Sequence, residues 1–465
     1  MTRRTPALAL RDVVAATSGR VRGASGLGVV RATGVTTDSR NVEPGDLFVA
    51  LRGPRFDGHD FVETCFAAGA VAALVEDDGR TWSRPTIQVG DTLSALGALG
   101  RWWRLERGIP ILGLTGSNGK TSTKELAAAL LGTRVEVLRT DGNLNNRIGV
   151  PMTLLGIADR HATAVVEMGM NQRGEIADLT RICVPDVALL LNVGPAHIGE
   201  LGSLEAIAEA KAEMLHHAPA TSTLVVNADD PRVMQHARAF ERRRLRTFGE
   251  SAGVDVRLIE REAHDAGQRL HVVVDGSPYY LELGLFGRHS ALNAIAALAG
   301  VTALPESVRP RPSEWATAWK DLVPVAGRFA VRRVGGLRLV DDAYNANPGS
   351  FASALSTVVE IRGGSPFGVV LGEMQELGPH SESAHREVGE AVARAGAAFF
   401  ATLGPGARPA AEAARDAGVP VHHADTDLDA IFAFVERHLT PDSVLLLKGS
   451  RKARLERLIA RLEAR

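Results

Sequence analysis

The chain reads as an α/β protein of three domains, on three observations. Short apolar runs of strand length recur along all 465 residues, separated by Ala- and Leu-rich stretches with helical spacing. Strands alternating with helices favour mainly parallel sheets with right-handed crossovers. Two compositional breaks mark seams, RWWRLERGIP over 101–110 and the Pro-containing ALPESVRPRP over 303–312. The expected domain limits are 1–104, 105–321 and 322–465, in line with about 100–200 residues per domain.

The elements follow in order. GVTTDSR, LFVAL (47–51) and a helical-looking FVETCFAAGAVAALV (61–75) make a small first unit. GIPILGL (108–114), ATAVVEMG (162–169), DVALLLNV (186–193) and STLVVNAD (222–229) are the strands of a second. RFAVRRVGGLRLVDDAYN (328–345) opens a third with a strand pair, and FGVVLGE, AAFFATLG and SVLLLKGS continue it.

Composition excludes several classes. With 53 Lys+Arg against 54 Asp+Glu, the chain lacks the basic footprint of a nucleic-acid binder. Two cysteines, Cys65 and Cys183, are too few and too far apart for a disulfide framework or a zinc site. The opening apolar run is broken at Arg11 and Asp12, unlike a secretory signal, and no window has the ~18 apolar residues of a membrane span. The expectation is a cytoplasmic protein without membrane insertion. Lysine occurs only at 120, 124, 211, 320, 448 and 452, the other 47 basic residues being Arg. Of the two, only Lys readily becomes a neutral amine.

IPILGLTGSNGKTSTKELAAALL (109–131) carries the strongest signal. An apolar strand enters a Gly-rich turn, Gly116-Ser117-Asn118-Gly119, and Lys120-Thr121-Ser122 opens a helix. Such a turn offers backbone N–H groups and a helix N-terminus to phosphate oxygens, Lys adds a cation, and Thr can reach Mg²⁺. The spacing is shorter than the common P-loop, because Leu114 stands where that pattern has its first Gly. An ordinary P-loop kinase or NTPase is the rival reading.

Downstream, Glu167 ends a strand, His197 lies in the loop GPAHIG, and Lys211 lies in the helix SLEAIAEAKAEML. At helical spacing Leu204, Ile207, Ala208, Lys211 and Leu215 share one stripe, so the amine is set on an apolar face where desolvation favours its neutral form. A neutral amine can take up CO₂ as a carbamate, an anion able to bind Mg²⁺. Taken singly, these residues also suit a strand-end ion pair, a loop histidine and a snorkelling lysine.

The loop TGSNGKT and the order of residues behind it resemble the Mur ligase family, ATP-dependent amide-forming enzymes of peptidoglycan synthesis. The resemblance covers about 30–456 and implies a small uridine-nucleotide-binding domain, a central P-loop-type parallel-sheet ATPase domain and a C-terminal Rossmann-like domain. It implies ATP contacts from Gly116 through Ser122, magnesium held by Thr121, Glu167, His197 and a carbamylated Lys211, and catalytic work by Lys120, Lys211, His197 and Arg328. GRHSALNAIAALA (287–299) resembles the family's G-x-H-N-x-x-N, so Asn293 is expected at the adenine, with Ser290 where the family has Asn. Arg328 of GRF is expected at the γ-phosphate and Asp342 of LVDDAYNANPGS at the ribose. Tyr344, Asn345 and Asn347 are expected beside the reacting groups.

VTTDSRNVEPGDLFVALRGPRFDGHDF (35–61) is similar to the family's uridine-type first domain, which implies substrate contacts at Asp38, Ser39 and Arg40. TDGNLNNRIGVPMTLL (140–155), with Asn143 and Asn146, resembles the member that joins D-alanyl-D-alanine to UDP-N-acetylmuramoyl-tripeptide, as do DDAYNANP, LGEMQELGPHSESAH and LLLKGSRKARLE. The D-N-P-R of its sister enzyme is absent, and DDAYNANP replaces the D-x-A-H-N-P of folylpolyglutamate synthetases. The resemblance implies a monomer. It leaves open whether the third peptide residue is meso-diaminopimelate or L-lysine, and which group receives the proton of the incoming amine.

Overall fold

The computed structural model describes residues 2–23, 30–77, 79–196, 198–240 and 244–464. Three sheets follow one another along the chain. In the first, Arg31–Thr36, Asp46–Val49, Ala72–Glu76 and Thr86–Val89 run parallel, with Thr2–Ala9 and Arg20–Arg22 antiparallel at the two edges. The stretch 61–75, which reads as one helix, is helical only over Val62–Ala67. Gly69 then turns the chain at φ +108, where Pro44 Cα would lie 2.9 Å from a Cβ, and Ala72–Glu76 forms an inner strand. A buried strand is apolar on both faces, so periodicity alone cannot separate it from a buried helix.

The second sheet has nine strands. Ile111–Thr115 lies third from one edge, between Thr163–Glu167 and Val187–Leu190, both parallel to it. This register brings the Gly-rich turn, Glu167 and the 192–197 loop out at one end of the sheet, where open parallel sheets bind ligands. An antiparallel meander, Val256–His264, Gly267–Val274 and Ser277–Leu283, extends the other edge. The third sheet is parallel except for its edge strand Ala330–Val334, which forms a hairpin with Leu337–Asp342.

Helix Arg288–Thr302 covers the second sheet with an Ala-rich stretch, Ala291 to Val301, that is buried throughout except at Leu292. Arg261, on the meander, reaches the third unit and pairs both its terminal nitrogens with Glu360, at 2.6 and 2.8 Å. Cys65 and Cys183 are buried in separate cores, and burial pushes their thiols up to about 11 and about 12. Among the described residues no helix is long and apolar enough to cross a membrane.

Candidate active site

A cleft of about 990 Å³ lies between the second and third sheets. Its floor is the turn after Ile111–Thr115. Gly119 takes φ +82 and caps the helix Lys120–Gly132, so the first N–H groups of that helix face the cleft. The turn is braced from behind. Asn118 N–H donates to Asn192 Oδ1 at 2.9 Å, Asn192 Nδ2 donates back to Asn118 C=O at 3.1 Å, and Ser117 exchanges hydrogen bonds with Gly194. Lys120 Nζ curls onto the turn's own carbonyls, 2.8 Å from Gly116 O and 3.2 Å from Ser117 O. Burial holds this amine below its ordinary value and Arg328 adds to that, while Glu167 and Glu376 oppose it.

The third unit supplies the facing wall. Arg328 Nη2 donates to Thr121 Oγ1 at 3.3 Å, and its guanidinium lies 4.1 Å from the Tyr344 ring centroid. Asn347, the N-cap of Pro348–Ile361, donates from Nδ2 to Asn118 Oδ1 at 2.8 Å. Asn293 packs on Gly119 from the covering helix, with Ser290 buried one turn earlier. Asp342 accepts from Phe329 N–H at 3.1 Å and from Lys448 Nζ at 2.6 Å. Asn345 holds its own turn, its Oδ1 accepting from Ala346 N–H and its C=O from Lys448.

Glu167 is 2 % exposed and accepts from Asn145 Nδ2 at 2.7 Å. Its other oxygen is buried with no hydrogen-bond partner among the described residues. A desolvated carboxylate oxygen left open beside a phosphate cradle suits a divalent cation, so the residues present fit that group. Lys211 is 1 % exposed on the buried face of Leu204–His217, as its stripe predicts. It makes no hydrogen bond or ion pair among the described residues. Burial pushes its amine well below the usual value, and the Lys120 charge pushes it further. It lies behind the cleft lining, within electrostatic reach of Lys120.

The other expected residues divide. Asn143, Asn146, Ser122, Tyr344 and Asn345 line the cleft, although Asn146 Oδ1 also accepts from Ile148 and Gly149 N–H at the start of a helix. Asp38, Ser39 and Arg40 lie on the first unit, outside the cleft lining, where Asp38 caps a helical turn and pairs with Arg40. His197 lies outside the described residues. Sequence reasoning passed over Asn145, Asn192 and Lys448. Lys448 was within reach, since Lys124, Lys211 and Lys448, half of the six lysines, are 1 % exposed.

A Gly-rich turn at a helix N-terminus in one α/β unit, faced by Arg328, Asn347 and Asp342 of another, defines a P-loop-type protein whose cleft is shared between two units. The comparisons agree in every segment. Family models match residues 31–102 (Mur ligase family, catalytic domain), 114–301 (Mur ligase middle domain) and 327–451 (Mur ligase, glutamate ligase domain). The chain belongs to the Mur ligase family. It is 36% identical over 441 residues to the UDP-N-acetylmuramoyl-tripeptide--D-alanyl-D-alanine ligase of Escherichia coli, covering 92% of this chain and 93% of that one. MurF from Acinetobacter baumannii superposes with a TM-score of 0.90 at 30% identity, over 99% of this chain and 100% of that one. The MurF ligase of Thermotoga maritima in complex with ADP does so at 0.82 and 29%, over 92% and 97%.

Proposed function

We propose that this protein joins D-alanyl-D-alanine to UDP-N-acetylmuramoyl-tripeptide at the expense of ATP, giving the pentapeptide precursor of peptidoglycan. The observation that carries the reading is the contact of Arg328 with Thr121 across the cleft, which sets a third-unit cation over the phosphate turn. A kinase needs no second unit built around the Asp342–Lys448 pair and the DDAYNANP turn. The relatives' printed names support the same substrates.

The chemistry follows from the residues. The terminal carboxylate of the tripeptide is a poor acylating agent, because its leaving group would be oxide. Transfer of the γ-phosphoryl group turns it into an acyl phosphate, which the dipeptide's neutral amine attacks, and phosphate leaves. Lys120 would swing from its two carbonyls to the transferred group, and Arg328 would meet that group from the opposite wall. Asn293 is the expected adenine contact and Asp342 the expected ribose contact. Thr121, Glu167, His197 and Lys211 as its carbamate would hold Mg²⁺, which when bound neutralises phosphate charge. Closure of the second and third units over ATP assembles the site and excludes water. On this reading the working units are 1–104, 105–321 and 322–465, the first taking the uridine end through Asp38, Ser39 and Arg40, in a cytoplasmic monomer.

Phosphate release measured with UDP-N-acetylmuramoyl-tripeptide, with and without D-alanyl-D-alanine, tests the proposal. Release that requires both is expected. Release indifferent to the dipeptide, or ADP formed with a stable phosphorylated product, would support the kinase reading instead.

A further inference from the structure

Arg328 stands on a turn that its neighbours do not favour. Gly327 takes φ +73 and Phe329 φ +52, so both flanking residues lie in the left-handed region, which is uncommon for a bulky side chain such as Phe329. Two consecutive acids of the strand Leu337–Asp342 hold this turn. Asp341 Oδ2 accepts from Gly327 N–H at 3.2 Å, and Asp342 Oδ1 accepts from Phe329 N–H at 3.1 Å. The N–H groups on either side of Arg328 are thus each bound by a carboxylate. Strained backbone held in place by its surroundings points to a function for the residue it carries.

Asp341 also reaches a second segment. Its other oxygen, Oδ1, accepts from Ala343 N–H at 3.2 Å. The one carboxylate therefore fixes the residue before Arg328 and the residue before Tyr344, the two members of the stack at 4.1 Å on the cleft wall. Tyr344 N–H completes the arrangement by donating to Gly327 C=O at 3.1 Å. The arginine side chain is lightly tied by comparison. It donates to Thr121 Oγ1 at 3.3 Å, and its Nε is buried without a hydrogen-bond partner among the described residues. Its aim is set by the main chain beneath it and by the Tyr344 ring. Asp341 is 5 % exposed and accepts in addition from Arg332 Nη2, at 2.8 Å.

We propose that Asp341 is a positioning residue for phosphoryl transfer, holding Arg328 and the Tyr344 ring against it where the guanidinium meets the transferred group. The inference rests on the ligase reading, which puts Arg328 at the γ-phosphate. Neither Asp341 nor Arg332 lines the cleft, so the carboxylate acts through the arginine and not on substrate. The pair with Arg332, a half-exposed side chain, contributes little by itself. A shift of about 1 Å in a group at the chemistry, by contrast, can cost about 10²-fold in rate. Loss of Asp341 is therefore felt in turnover, and only while Arg328 is present.

The test is a double-mutant cycle, Asp341→Ala and Arg328→Ala alone and together, with Asp341→Asn and Arg332→Gln beside them. Each protein is measured for kcat, for KM of D-alanyl-D-alanine, and for scrambling of ¹⁸O between the β,γ-bridge and non-bridge positions of ATP, with tripeptide but without dipeptide. Asp341→Ala should lower kcat and scrambling together by about 10–100-fold and leave the dipeptide KM near wild type. Once Arg328 is gone, Asp341→Ala should cost no more than about two-fold, because the two residues act as a unit. Asp341→Asn keeps an acceptor oxygen and should recover part of the loss; the cycle run with Asn reads the same coupling if the alanine variant does not fold. Arg332→Gln leaves the carboxylate on the turn and should stay within about two-fold of wild type. Additive losses in the double variant, or an Arg332→Gln loss equal to that of Asp341→Ala, would overturn the inference and leave the ligase reading intact. A wild type without dipeptide-dependent phosphate release would overturn both.

Discussion

Asn293 packs so closely on Gly119 that a Cβ on the glycine would fall 2.2 Å from the asparagine's Oδ1. Gly119 also needs φ +82 to cap its helix, so conformation and space both demand glycine. Gly119→Ala should therefore lower turnover at least ~10²-fold by displacing the turn and Asn293 together. The fold should survive, because the turn lies at the cleft and not in a core. Turnover and Tm measured side by side check this; near-normal turnover would mean that the turn yields without harm.

Lys120→Ala should cost about 10²–10³ in turnover, the usual loss of one preorganised electrostatic contact. A loss of ten-fold or less would remove this turn from the chemistry.

Lys211 can be tested by its own reactivity. If it carries a carbamate, protein equilibrated with ¹³C-bicarbonate should give a carbamate resonance that Lys211→Arg lacks. Lys211→Arg should be nearly inactive although it keeps the charge, and a short-chain carboxylate should partly rescue Lys211→Ala. A fully active Lys211→Arg would reduce Lys211 to a packing residue.

Lys448→Met should destabilise the third unit by about 3–5 kcal/mol, the cost of breaking a buried ion pair on one side. Lys448 is 1 % exposed and Asp342 would keep its charge with its strongest partner gone. Urea unfolding compares the two proteins; an unchanged midpoint would show that the pair contributes nothing net.

His289 lines the cleft with its ring against Phe329, 5.3 Å between centroids, and burial lowers its pKa from 6.5 to about 4. The unfolded chain therefore binds this proton more tightly than the folded one. The contribution of neutral His289 is fully present above pH 6.5 and is lost as pH falls towards 4, by at most about 3 kcal/mol. The half-buried ring keeps the realised loss below that bound. His289→Gln should flatten the fall in urea midpoint between pH 6.5 and 4.5; an equal fall in both proteins would assign it to other groups.

How much of this could be read from the residues depends on the kind of signal each carries. The strand, Gly-rich turn and helix at 111–132 were legible because apolar run, glycines, Lys-Thr and Ala-Leu stretch agree within a few residues. Lys211 was legible because a cation on an apolar stripe contradicts its surroundings. The meander at 256–283 was not foreseen, although Asp275-Gly276, both at positive φ, is a hairpin signal. The pairings that close the cleft, Asn118 with Asn347 and Arg328 with Thr121, join residues 229 and 207 positions apart. No local pattern encodes a contact at that separation. Asn145 was missed for a related reason, since its partner Glu167 is a neighbour only through the sheet.

The two buried thiols have a practical side. With pKa values near 11 and 12 they hold almost no thiolate at neutral pH, so the folded protein should give no titre with a thiol reagent until it is denatured. The native chain is thus a silent background for site-directed dyes. A cysteine pair such as Tyr280→Cys on the meander and Val359→Cys on the facing helix, both exposed, would take fluorophores only where they are wanted. Energy transfer between the two would then report the opening and shutting of the cleft in real time, one molecule at a time, without first stripping the protein of cysteines of its own.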